Sequence, residues 1–241
     1  TNKKDETAEA LSMGIPKPWY VDESPQQKIF LKGFYIDTFE VTNERYKKYV
    51  DALEAVPPGN WKSNTFAVGK DKEPVTWVTW FDAANFCQWA EKKLPTEKQW
   101  ERSAKGTDGN EYPWGNEFQS DIAYLSTRAG SKNKPVAVGS FPKSASKEGV
   151  HDLIGNVWEW VADWYRPDTY SMKGRGKNPT GPLSSYDPVE PTVPKRVTRG
   201  GSFLCNDQYC AGYRTTARMR TSPDTSLEHT GFRVVMTEDQ M

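Results

Sequence analysis

Apolar and polar positions follow two rhythms along the first hundred residues. Ile29-Phe30-Leu31 and, after Gly33, Phe34-Tyr35-Ile36-Asp37-Thr38-Phe39 are aromatic and β-branched runs, which predict β-structure. The rhythm then changes. Tyr46, Tyr49, Val50 and Leu53 fall at i, i+3, i+4 and i+7, so a helix capped by Thr42 should run to about Leu53. Pro57-Pro58-Gly59-Asn60 breaks it. A second helix should begin near Thr79, with Asp82 in the capping-box position. It buries Ala83, Phe86, Cys87 and Ala90, and should end at Leu94-Pro95. Thr96 and Gln99 form a second capping box, opening a short helix that turns Trp100 and Ala104 inward.

After Lys105 regular patterning nearly stops. Residues 106–150 alternate turns with short apolar pieces such as Val136-Ala137-Val138. Asp152-Leu153-Ile154-Gly155-Asn156-Val157-Trp158-Glu159-Trp160 reads as a hydrogen-bonded turn followed by an aromatic core strand, its oxygens also suited to a hard cation such as Ca²⁺. Residues 166–194, rich in Pro, Gly, Ser and Lys, read as a long surface excursion within one domain, since the 47 residues beyond them are few for an independent core. The last strands are expected at Arg196–Arg199 and Gly231–Met236. No βαβ alternation is present, which argues against a doubly wound sheet.

Composition sharpens this picture. The chain of 241 residues carries 10 Trp, 11 Tyr and 10 Phe, so it should fold around aromatic slabs, and 18 Gly with 17 Pro imply many ordered turns. With 32 Lys+Arg against 32 Asp+Glu the formal net charge is zero, which argues against bulk electrostatic binding of nucleic acid or an anionic membrane. No apolar run approaches the ~18 residues of a membrane span. Residues 1–12 are polar and read as a frayed or trimmed start ahead of a domain over 13–241. The missing initiator Met gives a lean towards a bacterial extracytoplasmic (periplasmic) location.

Chemistry has few candidates. The two histidines, His151 and His229, lack ligand spacing, and no G-x-S-x-G, Walker A or G-x-G-x-x-G motif occurs. Cys87 reads as a small buried hydrophobe. Cys205 and Cys210, separated by four residues, lie beyond Gly200-Gly201-Ser202. Their spacing leaves three readings: a structural disulfide, a dithiol redox switch, or a two-thiolate site suited to linear Cu(I). Arg199, Arg214, Arg218 and Arg220 crowd this segment, and would either favour thiolates or form a solvated face.

Taken together, the chain resembles the formylglycine-generating enzyme (sulfatase-modifying factor) family from about Met13 to Met236. The resemblance rests on Phe39-Glu40-Val41-Thr42-Asn43, Pro74-Val75 with Val78-Thr79-Trp80, Leu94-Pro95-Thr96-Glu97, and Pro113-Trp114-Gly115. It continues through Gly155-Asn156-Val157-Trp158-Glu159-Trp160, Arg199-Gly200-Gly201-Ser202-Phe203 and Gly231-Phe232-Arg233. It implies a single α+β domain of the C-type-lectin-like kind with little regular secondary structure. The implied activity is O₂-dependent oxidation of a cysteine in an unfolded sulfatase-type C-x-P-x-R segment to Cα-formylglycine. Cys205 and Cys210 would hold Cu(I), and Ser202 would complete the catalytic set. Trp158, Tyr209, Arg218 and His229 would meet substrate. Asp152 and Glu159 side chains, with Gly155 and Val157 carbonyls, would hold one structural Ca²⁺. Cys87 lacks the family's partner cysteine, because Val234 stands there, and is expected to be a free thiol. The alternative is a non-catalytic binding or assembly subunit of a larger complex, with Cys205 and Cys210 joined as a disulfide.

Overall fold

A computed structural model describes residues 20–127, 130–172, 176–206 and 212–240. Strand β1 (Phe34–Ile36) is shorter than its sequence, and Phe30 makes only an isolated bridge to Lys177. Helix α1 (Asn43–Leu53) starts where Thr42 accepts the Arg45 N–H, and buries Tyr46, Tyr49 and Val50. Leu53, expected on that face, is exposed because Glu54 turns left-handed at φ 51° and ends the helix beside it. Helix α2 (Trp80–Trp89) and helix α3 (Glu97–Lys105) both carry the complete capping boxes read from sequence, Thr79 with Asp82 and Thr96 with Gln99. Helix α2 stops before Leu94-Pro95, since Ala90 caps it and Glu91 adopts φ 55°.

The central sheet has four strands: β2 (Trp158–Trp164), β3 (Arg196–Arg199), β4 (Met219–Thr221) and β5 (Thr230–Phe232). Their order is β4-β3-β2-β5, with β2 and β5 parallel and the other pairs antiparallel. The expected terminal strand is split. Strand β6 (Val235–Thr237) leaves to pair with β1, and the break falls at Arg233-Val234, where Arg233 turns inward to Glu159. Gly231 lets β5 pass close to the chain at Val75, because a Cβ there would lie 2.5 Å from the Val75 carbonyl oxygen.

The core mixes rings with aliphatic side chains such as Val41, Val75 and Val234, so the expected aromatic slabs are only part of it. Tyr46, Phe86 and Phe232 interlock with centroid distances of 5.4–6.3 Å, and Trp160 belongs to the same cluster. Cys87 lies there as a free thiol, as expected, and burial pushes it up to about 12. Described parts of residues 166–194 fold back on the same domain: the Tyr186 N–H meets the Tyr165 carbonyl, and buried Asp187 pairs with Arg220. Among the described residues no helix is long and apolar enough to cross a membrane.

Candidate active site

Strand β3 delivers the chain to Gly200 and Gly201, both at positive φ (94° and 74°). A Cβ at Gly200 would meet the Leu153 carbonyl oxygen at 2.8 Å, so only glycine lets this turn press onto the 153–156 segment. Two backbone bonds join the turns: Gly155 N–H to the Gly200 carbonyl (2.9 Å) and Phe203 N–H to the Asn156 carbonyl (2.9 Å). Residues 202–205 then form a tight turn. The Cys205 N–H donates to the Ser202 carbonyl (2.9 Å), the Ser202 N–H points at Cys205 Sγ (3.4 Å), and Ser202 Oγ accepts the Leu204 N–H (3.3 Å). Ser202 is fully buried and Cys205 is buried.

Cys205 and Trp158 share one apolar cluster with Leu125, Ile154, Tyr112 and Tyr213. The Trp158 N–H donates to the His229 carbonyl (2.8 Å). His229 is half-buried, with Nδ1 3.3 Å from Thr230 Oγ1, and burial lowers its pKa, which keeps the ring neutral at pH 7. Four sequence-expected residues, Ser202, Cys205, Trp158 and His229, are therefore brought to one place. Tyr209 and Cys210 lie outside the described residues. Phe203 also walls a cleft of about 220 Å³ with Trp61, Phe66, Trp77 and Glu228. Trp77 holds a left-handed backbone (φ 60°), unusual for a bulky residue.

The arginines correct the sequence reading. Arg199 and Arg218 are not part of a solvated face: both side chains are fully buried on Glu97 of helix α3. Glu97 Oε1 accepts Arg199 NH1 (2.7 Å) and Arg218 Nε (2.6 Å), while Oε2 accepts Arg218 NH2 (3.1 Å). Arg218 NH1 reaches the carbonyls of Asp22 and Arg166, so its guanidinium is engaged internally. Arg199 NH2 crosses to the Thr215 carbonyl (2.5 Å). The two limbs of the cysteine segment are thus tied to each other and to one carboxylate. Burial opposes ionisation of Glu97, but Arg218 and Arg199 outweigh it and hold its pKa down to about 2. Asp163 accepts the Glu97 N–H (2.7 Å); burial and then the Glu97 charge push its own pKa up to about 6. No local pattern announces Glu97, which is separated from its partners by 102 and 121 residues.

The expected calcium residues form a second buried cluster. Asp152 (φ 57°) accepts the Gly139 N–H at 2.6 Å. Both Glu159 oxygens are taken up by nitrogen donors: Oε2 by Arg233 Nε (2.6 Å) and Trp100 Nε1 (2.9 Å), Oε1 by Arg233 NH2 (2.7 Å). In this arrangement Glu159 does not fit as a Ca²⁺ ligand, since it would have to release Arg233, whose charge is buried with it. Glu40, missed from sequence as a member of this cluster, donates no charge outward. Its Oε1 accepts Asn156 Nδ2 (3.1 Å), its Oε2 is buried with no hydrogen-bond partner among the described residues, and burial, then Asp152, push its carboxyl well above the usual range. Among the described residues no group of three or more His, Cys, Asp or Glu is placed to hold a metal ion.

Comparison with known proteins matches residues 7–238 to the family described as sulfatase-modifying factor enzyme 1-like domain. The chain is 31% identical to a formylglycine-generating enzyme of Thermomonospora curvata, over 88% of this chain and 84% of that one. It is 30% identical to the inactive C-alpha-formylglycine-generating enzyme 2 of Mus musculus, over 88% and 77%. Among solved structures PvdO from Pseudomonas aeruginosa superposes with a TM-score of 0.72 over 90% of this chain and 85% of that one; at 21% identity this is a likeness of fold.

Proposed function

The chain belongs to the sulfatase-modifying factor enzyme 1-like family, and from that premise we propose that it is a formylglycine-generating oxidase acting on a cysteine of a sulfatase-type polypeptide. The observation that carries this reading is the turn in which the Ser202 N–H addresses Cys205 Sγ beneath Trp158. An N–H aimed at sulfur favours the thiolate over the thiol. Two thiolates, Cys205 and Cys210, are a donor set that fits Cu(I), and the copper would supply the activation of O₂.

The remaining chemistry falls to the chain's own residues. Ser202 holds the Cys205 sulfur by its backbone N–H and fixes the turn through Oγ. Trp158 keeps one wall dry, and the neutral His229 ring offers a hydrogen-bonding group at the half-buried edge. The aromatic cleft beside Phe203 gives an extended polypeptide a place to lie. The reaction balances as R–CH₂–SH plus O₂ plus two molecules of an external thiol, giving R–CHO, H₂S, one disulfide and one water. The Cβ loses two electrons, the external thiols lose two, and O₂ takes all four.

A second reading, a binding module on the same scaffold, is favoured by the inactive mouse relative of similar identity. One experiment separates them. Reduced, copper-loaded protein is incubated with O₂ and a C-x-P-x-R peptide, and the peptide is read by mass spectrometry. Conversion of thiol to aldehyde, abolished in Cys205→Ser and in Cys210→Ser, is the expected result. An unmodified peptide across several sulfatase-derived sequences supports the binding module instead.

A further inference from the structure

The cysteine segment is held by a second ion pair, beside the Glu97 node. A 3-10 turn, Val21–Glu23, precedes the first strand and lies against the limb that returns from the cysteines. Glu23 binds Arg214 with both oxygens: NH2 to Oε1 at 2.6 Å and NH1 to Oε2 at 2.7 Å. Thr216 Oγ1 adds a third bond to Oε2 at 2.6 Å. The Glu23 side chain is only 8% exposed and that of Arg214 17%, so water competes weakly for either. Beside it, Asp22 accepts the Tyr165 hydroxyl (2.7 Å) and its carbonyl accepts Arg218 NH1 (3.2 Å). Thr215 faces the other way, its N–H and Oγ1 bonded to the carbonyls of Glu111 and Asn110. The return limb is therefore gripped from both sides, and one side belongs to a turn about 190 residues earlier in the chain.

Arg214 stands four residues after Cys210. We infer that Glu23 is a positioning residue for the cysteine segment: by clasping Arg214 and Thr216 it fixes the return limb, and through it the relative placement of the two sulfurs. The clasp uses its own ion pair, Glu23 with Arg214, and adjoins the Glu97 node through Asp22 and Arg218; neither Glu23 nor Arg214 pairs with Glu97. Its consequence for catalysis rests on the oxidase reading proposed above. Its consequence for order does not.

The test uses Glu23→Ala, Arg214→Ala and the double variant. Amide hydrogen exchange should accelerate about tenfold or more in peptides covering residues 203–216, with β2 (Trp158–Trp164) unchanged. Because the two groups act as one clasp, the double variant should match either single variant instead of adding to it. In peptide oxidation kcat should fall about 10- to 100-fold while KM stays within about twofold, the signature of misplaced reacting groups with intact substrate contacts. Unchanged exchange in 203–216, equal acceleration in β2, or additive single effects would each overturn the inference. Should wild-type protein fail to oxidise any peptide, the oxidase reading falls, and the exchange cycle still decides the clasp.

Discussion

Replacing Glu97 by Gln keeps the shape of the side chain and removes the one charge shared by Arg199 and Arg218. All three side chains are essentially unexposed, so the lost interaction is not screened by water. Breaking a buried pair by deleting one partner costs about 3–5 kcal/mol. The proton equilibrium gives a second figure. Glu97 has its pKa lowered from 4.5 to about 2 in the folded protein. A depressed carboxylate stabilises the fold above its unfolded pKa, and that contribution is lost as pH falls towards the folded value. The shift corresponds to about 3 kcal/mol at pH 7, of which about 2 kcal/mol is gone by pH 3. Asp163 acts with opposite sign. Its pKa is raised to about 6, so its contribution is present below the unfolded value of 3.8 and is lost as pH rises through 6. The Glu97 signal is therefore read below pH 4. Urea unfolding of wild type and Glu97→Gln at pH 7, 4 and 3 should give a gap of about 3 kcal/mol that narrows by about 2 kcal/mol at the acid end. A gap under about 1 kcal/mol at pH 7, or one as wide at pH 3 as at pH 7, would refute the reasoning.

Two further outcomes follow from the packing. Gly231→Ala places a Cβ 2.5 Å from the Val75 carbonyl and 3.2 Å from Val157 Cγ2, both fully buried; it should cost about 1–3 kcal/mol and lower the Tm by about 2–12 °C, and an unchanged Tm would show that β5 can move away from Val75. Cys87, pushed to about 12 by burial and then by Asp37, should resist iodoacetamide at pH 8 in the native protein and react only in denaturant; native alkylation at the rate of an exposed thiol would contradict its placement.

The helices were legible because their signals are local. Thr42, Thr79 and Thr96 each satisfy an N–H three residues ahead, and Asp82 and Gln99 answer from within one turn. The split between β5 and β6 was not, because Arg233-Val234 continues the same apolar run, and only the distant Glu159 explains why the chain turns there. The site divided along the same line. Ser202, Cys205 and Trp158 stand in motifs that mark them. Arg218 stands near the cysteines in sequence, and its pairing with a carboxylate 121 residues away could not be read there. Its burial depends on Glu97, on a helix assigned for quite different reasons.

Because Arg199 and Arg218 converge on one carboxylate, the stretch between them behaves as a cassette mounted at two fixed points. The described parts of that stretch are also packed between the mounts, with Phe203 bonded to Asn156 and Thr215 to Glu111, so exchange at Gly200, Phe203 or Thr215 would be felt by the scaffold outside. Neither mount uses a cysteine, so the residues that hold the stretch and the sulfurs proposed for its chemistry are separate sets.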